Sequence, residues 1–350
     1  MTAAMSAQPG NAGMTLKPQN ADITAWVAVA AGALGAMLAT LDISIVNSAL
    51  PVIQGEIGAT GTEGTWIATS FLVAEIVVIP LSAWLERLLG LRTLLIIAVT
   101  AFTGFSVLCG IATDLTTMII GRTGQGFMGG VLIPTAMTIV AKRLPPHQQP
   151  IGMALFGMTV VLGPVMGPLI GGWLTENLSW HYAFFVNVPV CAGLLLLLFI
   201  GLPHEKPNWD YLTQADWAGI AGLILGLGGL TVVLEEGHRE EWFDSSFIRW
   251  LSLITAAGFA SLIYGQLYAA KPVLKLRLLL SRQFGSVAIM ALALGMVMYG
   301  STYVIPQFLA IISDYNAFQT GLVIFWMGVP AFLLMPVLPF MIRRVDIRIA

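Results

Sequence analysis

The chain of 350 residues is 57% hydrophobic and only 10% charged, against about 25% charged residues in a typical soluble domain, which excludes water as the main solvent of its surface. Its formal net charge of -2 offers no basic excess to neutralise phosphates, so nucleic acid is not an expected partner. The two cysteines, Cys109 and Cys191, both fall inside apolar runs, which leaves neither a disulfide framework nor a thiolate metal site.

Residues 1–22 are small and polar, with Lys17 the one basic residue. They lack the charged start and short apolar core of a cleavable signal peptide, so the first apolar run is expected to stay in the mature chain. A helix that crosses about 30 Å of hydrocarbon needs about 20 residues. Ten runs of that kind follow, near 23–47, 65–85, 93–112, 115–141, 150–174, 181–201, 216–234, 248–268, 285–311 and 318–342. Stretches such as Leu194 to Ile200 do not alternate in polarity, against the pattern of a transmembrane barrel. Helices are then the only structure that satisfies a lipid-exposed backbone, and the expected fold is an all-α integral membrane bundle.

Lysine and arginine stay on the cytoplasmic side of short loops. Alternate connections carry Arg87 and Arg92, then Lys142 and Arg143, Lys206, the group Lys271, Lys275, Arg277 and Arg282, and finally Arg343, Arg344 and Arg348. The intervening connections carry only Arg239. With Lys17 on the basic side, the N-terminus is expected in the cytoplasm, and an even number of helices returns Ala350 to the same side.

Three charges fall at membrane depth, where each needs a partner, a wet cavity or a function. Asp42 lies eight residues before Leu50, Glu75 about ten residues into the second run, and Arg122 about seven residues into the fourth. A carboxylate in a partly dry cavity can exchange protons near neutral pH, so Asp42 and Glu75 are candidates for a proton relay. The competing reading is a buried ion pair or hydrogen-bond network that only fixes packing. Arg122 either joins the relay or snorkels to the surface as an anchor.

The fifth run places Gly163, Gly167 and Gly171 at intervals of four, with Gly172 beside them and Pro164 and Pro168 between them. Small residues at that spacing let a neighbouring helix approach closely, whether for movement or for a static contact, and the prolines favour a bend. In the fourth run Arg122, Gln125 and Gly126 share one side, since residues three and four apart are helical neighbours.

Together these segments resemble the major facilitator superfamily, and within it the 14-helix drug:proton antiporters. Gly163-Pro164 through Gly171-Gly172 resembles the antiporter signature of the superfamily. Arg122-Thr-Gly-Gln125-Gly126 resembles its fourth-helix motif, and Leu41-Asp42-Ile-Ser-Ile-Val-Asn47-Ser-Ala-Leu-Pro51 the first-helix motif of the 14-helix branch. Trp66-Ile-Ala-Thr-Ser, Phe184-Phe-Val-Asn187-Val-Pro189 and Asp216-Trp-Ala-Gly219 add to the likeness. The resemblance implies a cytoplasmic tail at 1–22, a six-helix half at 23–201, a linker with two inserted helices at 202–268, and the start of a second half at 269–350. Four helices of that second half are absent from the sequence, so a truncated portion of a longer transporter is expected. The loop Ala83-Trp-Leu85-Glu86-Arg87-Leu-Leu-Gly90 departs from the superfamily's loop motif: its first glycine is alanine and its acid stands one place early, which puts the charge clamp of that loop in question.

The function implied is proton-coupled efflux of hydrophobic, amphipathic, often cationic drugs across the cytoplasmic (inner) membrane, driven by the proton gradient with no cofactor. Expected partners are the small-molecule substrate, membrane lipid and, in a Gram-negative host, a periplasmic adaptor protein and an outer-membrane channel. Asn47, Gln125, Met158, Tyr299, Tyr303 and Gln307 are candidates for the substrate cavity, and Met153, Met166 and Trp326 could extend its adaptable apolar wall. Alternatives are a narrow-specificity exporter of a metabolite or siderophore, or a non-transporting paralogue. An enzyme is not expected, because His147, His181, His204 and His238 are scattered without the spacing of metal ligands. The acidic loop Glu235 to Asp244 reads as a solvated segment.

Overall fold

A computed structural model describes residues 20–269, 271–312, 315, 317–334 and 337. Among these residues there is no strand, and eight helices are long and apolar enough to cross a membrane. They are α1 (Ile23–Ile57), α2 (Trp66–Leu89), α3 (Leu91–Gly110), α4 (Leu115–Arg143), α5 (Gln149–Asn177), α6 (His181–Gly201), α7 (Trp217–Glu236) and α8 (Ser246–Tyr268). The two remaining runs are occupied by α9 (Arg282–Ile312) and α10 (Ala317–Leu334). The basic C-terminal segment with Arg343, Arg344 and Arg348 lies outside the described residues.

The helix ends follow from local chemistry. Asp22 caps α1 by accepting from the Ala25 amide at 2.8 Å, and Asp114 caps α4 by accepting from the Thr117 amide at 2.9 Å. Both exposed carboxyls are held below the usual carboxylate range, Asp22 chiefly by that backbone bond and Asp114 chiefly by the Thr117 hydroxyl. Their capping contribution is therefore present above the ordinary carboxylate pKa and lost as pH falls through the depressed value. At the other end α1 runs past Pro51 to Ile57, ten residues beyond the expected boundary, and stops at Gly58, whose φ of 72° closes the helix in the left-handed region. Arginines close α6: Arg92 Nη1 donates to the Leu202 carbonyl at 3.0 Å and Arg143 Nη2 to the Gly201 carbonyl at 3.2 Å.

Prolines set the irregularities. Pro134 has no N–H for the Gly130 carbonyl, and α4 is interrupted at Gly130–Val131. Pro189 likewise withholds a donor from Phe185, and α6 is interrupted at Val186. In α5 the helix is continuous through Pro164 and Pro168. The carbonyl of Pro164, which Pro168 leaves without its helical donor, accepts instead from the Ser44 hydroxyl of α1 at 3.3 Å.

That bond belongs to the seam between α1 and α5. A side chain at Gly163, Gly167 or Gly171 would collide with Thr40, Ser44 or Ser48 respectively. The two series rise in the same order at the same spacing, so the helices run parallel with glycines against small hydroxyl residues. Gly172 is off this seam, with nothing within 4 Å of an added methyl. The face of α4 behaves similarly: Gly126 and Gly130 bring its backbone onto Phe71 and Glu75 of α2.

The inserted pair packs on the outer side of α2. Gly222 and Gly258 let α7 and α8 touch backbone to backbone, and a π turn at Ile224–Gly228 faces Val73 and Val77 of α2. The acidic segment is not simply solvated. Glu236 is 2% exposed, pairs with Arg239 at 2.8 Å and accepts from Thr69 of α2 at 3.1 Å, while Arg239 donates to Thr65 and to the Thr62 carbonyl. In the last turn of α2, the displaced acid Glu86 meets Lys142 of α4 at 2.5 Å. The exposed lysine limits this pair to about 0–1 kcal/mol.

The seam makes a paired prediction for the full-length protein in detergent. Gly167→Val is expected to destabilise it by about 1–3 kcal/mol through overpacking against Ser44, whereas Gly172→Ala should stay within about 0.5 kcal/mol. Thermal unfolding compares the two, and equal midpoints would contradict the packing described.

Candidate functional site

Two apolar clusters fill the six-helix bundle, and the site is the layer between them. One cluster takes α1 up to Ala39, α3 from Leu91 to Phe102, α4 from Val131 and α6 from Cys191. The other takes α1 from Ile45, Cys109 of α3, Met118 of α4, and Trp180 to Phe184 at the start of α6. In the gaps stand Asp42 on α1, Ser106 on α3, Arg122 and Gln125 on α4 and Asn187 on α6, all at most 1% exposed. Each helix breaks its hydrophobic pattern at the same level.

The centre is an ion pair, with Arg122 Nη1 2.6 Å from Asp42 Oδ2. Arg122 also donates through Nε to the Ile67 carbonyl at 3.2 Å and through Nη1 to Gln125 Oε1 at 3.1 Å, and its guanidinium lies 4.1 Å from the Phe71 ring centroid. Asp42 Oδ1 accepts from Asn187 Nδ2 at 2.6 Å and from Gln125 Nε2 at 3.3 Å. Asn187 Nδ2 donates to Ser106 Oγ at 2.9 Å, and Ser106 Oγ donates to the Phe184 carbonyl at 2.8 Å. A buried ion pair persists only when its remaining donors and lone pairs are also satisfied, and this network supplies most of them.

Glu75 stands one turn along α2 from Phe71 and is 7% exposed. Its carboxylate accepts no hydrogen bond from the described residues, while Arg122 and Asp42 are the charges that act on it. The layer therefore holds two acids and one base, with one acid fully bonded and the other held nearby without a donor.

Of the residues singled out from sequence, Asp42, Arg122 and Gln125 meet directly and Glu75 flanks them. Arg122 does not snorkel, because the Asp42 carboxylate and the Phe71 ring hold its head group inside the bundle. Gln125 was expected on a substrate wall; it is fully buried and bonded to both members of the pair. Asn47 is exposed on α1, Met158 and Met166 are half-buried on α5, and Met153 and Trp326 are exposed. The side chains of Tyr299, Tyr303 and Gln307 lie outside the described residues. Asn187 and Ser106 were missed as site residues. The signal available for Asn187 was a strongly polar residue inside one of the most apolar runs; Ser106 had none, since serine is common in membrane helices.

The network predicts a stability ordering. Arg122→Gln in the full-length protein leaves Asp42 buried without its counter-charge and should cost about 3–5 kcal/mol. Adding Asp42→Asn should recover most of that loss, so unfolding of the double variant in detergent is expected closer to wild type than that of the single one.

Comparison with known proteins follows the same geometry. Residues 32–350 match the Major Facilitator Superfamily. The chain is 34% identical over 325 residues to the colistin resistance protein EmrB of Acinetobacter baumannii, covering 93% of this chain and 64% of that protein. It is 33% identical over 327 residues to the probable multidrug resistance protein EmrY of Escherichia coli, again covering 93% and 64%. To the fatty acid resistance protein FarB of Neisseria gonorrhoeae it is 32% identical over 337 residues, covering 96% and 66%. The chain thus spans about two thirds or less of the length of these relatives. Among solved structures, the proton:xylose symporter XylE bound to 6-bromo-6-deoxy-D-glucose superposes with a TM-score of 0.59 at 14% identity, covering 92% of this chain and 70% of that one, which speaks to the fold alone. The buried charges thus sit in a multi-pass membrane protein of a transporter family, not an enzyme family, and the chain belongs to the major facilitator superfamily.

Proposed function

We propose that the whole protein exports hydrophobic, amphipathic and often cationic compounds across the cytoplasmic membrane in exchange for protons, with Asp42, Glu75 and Arg122 as the coupling group. The observation that carries this reading is the Asp42–Arg122 pair enclosed between two apolar clusters, with a second carboxylate, Glu75, that accepts no hydrogen bond from the described residues. A proton arriving on Asp42 cancels the counter-charge of a fully buried guanidinium. An unpaired charge at such depth costs several kcal/mol, so the protonated bundle is driven toward a shape in which Arg122 regains a partner. Glu75 is the anion placed to serve. A cationic substrate that prefers the ionised carboxylates competes with the proton, and this difference in affinity between the two shapes is what couples the flows.

The relatives named for colistin, multidrug and fatty acid resistance support export of amphipathic compounds. The half-buried Met158 and Met166 on α5 fit a wall that adapts to varied apolar surfaces. In this reading residues 23–201 are one half of the transporter, rocking against a second half that begins near residue 269, with α7 and α8 riding on α2. The N-terminus lies in the cytoplasm, the proton gradient replaces any cofactor, and a periplasmic adaptor and outer-membrane channel complete export in a two-membrane envelope.

Dye efflux by the full-length protein in everted vesicles tests the coupling. A cost of 3–5 kcal/mol corresponds to roughly 100- to 5,000-fold in populations, so Asp42→Asn should lower gradient-driven efflux by about 100-fold or more, and Glu75→Gln should lower it and flatten its pH dependence. Normal rates and an unchanged pH profile in both variants would sink the assignment.

A further inference from the structure

Asp42 is held by two amides that differ in one respect. Gln125 is locked in orientation: its Oε1 accepts from Arg122 Nη1 at 3.1 Å and from Cys109 Sγ at 3.4 Å, so its Nε2 must face the carboxylate. Asn187 is held only through its nitrogen. Nδ2 donates to Asp42 Oδ1 and to Ser106 Oγ, whereas Oδ1 is buried and accepts from no described residue. An ionised carboxylate is an acceptor only, which is why the nitrogen faces it. The donors therefore run in one direction, from Asn187 to both Asp42 and Ser106, and from Ser106 to the Phe184 carbonyl at 2.8 Å.

A proton on Asp42 Oδ1 turns that oxygen into a donor and sets its O–H against an N–H. Rotating the Asn187 amide by half a turn places its orphaned oxygen where Asp42 O–H and Ser106 O–H can both reach it. Ser106 has a single hydrogen, so it must then release the Phe184 carbonyl. Phe184 lies in the short helical piece His181–Phe185, just before the interruption of α6 at Val186.

We propose that Asn187 and Ser106 form a positioning pair that senses the proton on Asp42 and transmits its presence, as a reversal of hydrogen bonds, to the break in α6. This deepens the coupling role given to Asp42 above and rests on it. The proton enters from water and remains on Asp42; Asn187 and Ser106 only reorient, and no other bond is made or broken. The titratable and charged groups around Asp42 are Glu75 on α2, Cys109 on α3, Arg122 on α4 and Cys191 on α6. Within α5, which packs along α1, no charged residue stands between Gln149 and Glu176.

Infrared difference spectra of the reconstituted full-length protein between alkaline and acidic pH read the switch directly. The carboxylic C=O band of Asp42, identified by its loss in Asp42→Asn, is expected to move in Asn187→Leu, where the O–H has no amide to receive it. Ser106→Ala removes a single atom and serves as the milder variant. It should lower gradient-driven dye efflux by about 3- to 10-fold, the scale of one hydrogen bond, with dye affinity unchanged. An Asp42 band unmoved in Asn187→Leu, or full efflux in Ser106→Ala, overturns the relay while leaving Asp42 as the coupling residue. A wild-type protein with no Asp42 band at any pH overturns the coupling reading and the relay together.

Discussion

A guanidinium and a carboxylate can occupy the middle of a membrane bundle only if their attraction is undiluted by water and most of the other polar atoms they bring are bonded. The Asp42–Arg122 pair meets the first condition by lying between two apolar clusters and the second through Gln125, Asn187, the Ile67 carbonyl and the Phe71 ring. Four helices converge on one level to do this, which constrains their relative heights far more than apolar packing would. Side chains of Leu, Ile and Val slide past one another at little cost in a lipid-like interior, but a network of this kind has one register. The same enclosure makes any change in the charge of Asp42 costly, so the stabilising element and the element able to drive a rearrangement are one group.

Close backbone approach is the second constraint, and it is distributed unevenly. The seam of α1 with α5 pairs glycine against threonine and serine over two turns with no space for a larger side chain, while Ser44 satisfies the carbonyl that Pro168 frees. The seam of α2 with α4 is also glycine-lined, but there the backbone of Phe71 and Glu75 forms the interface and the Phe71 ring lies against the Arg122 guanidinium. The interruptions of α4 and α6 flank this layer, about a turn from Gln125 and next to Asn187 respectively.

The inserted pair is tied to the bundle through α2. Val73 and Val77 meet the π turn of α7, and Glu236 with Arg239 fastens the end of α7 to Thr62, Thr65 and Thr69. Glu75 points from the same helix to the other side, where Gly130 of α4 lies against its backbone. α2 is therefore the element shared by the charged layer and the inserted helices, and displacement of one is mechanically available to the other.

Much was legible in the linear chain because the membrane restricts the options. Composition excluded a soluble fold, the lengths of apolar runs located the helices to within a few residues for most of them, and spacing by three and four placed Arg122, Gln125 and Gly126 on one side and the α5 glycines on one stripe. The end of the first helix was read less well: α1 continues through Pro51 to Ile57, since a missing donor need not end a helix. What tertiary structure decided was who meets whom. Asp42 and Arg122 are 80 positions apart, Asp42 and Asn187 are 145 apart, and no periodicity within one helix specifies the rotation that turns each toward the others. Local pattern determines which face of a helix is polar or small; only packing against three other helices determines which polar group becomes the partner of a charge, because that choice depends on their relative heights and rotations in the bundle.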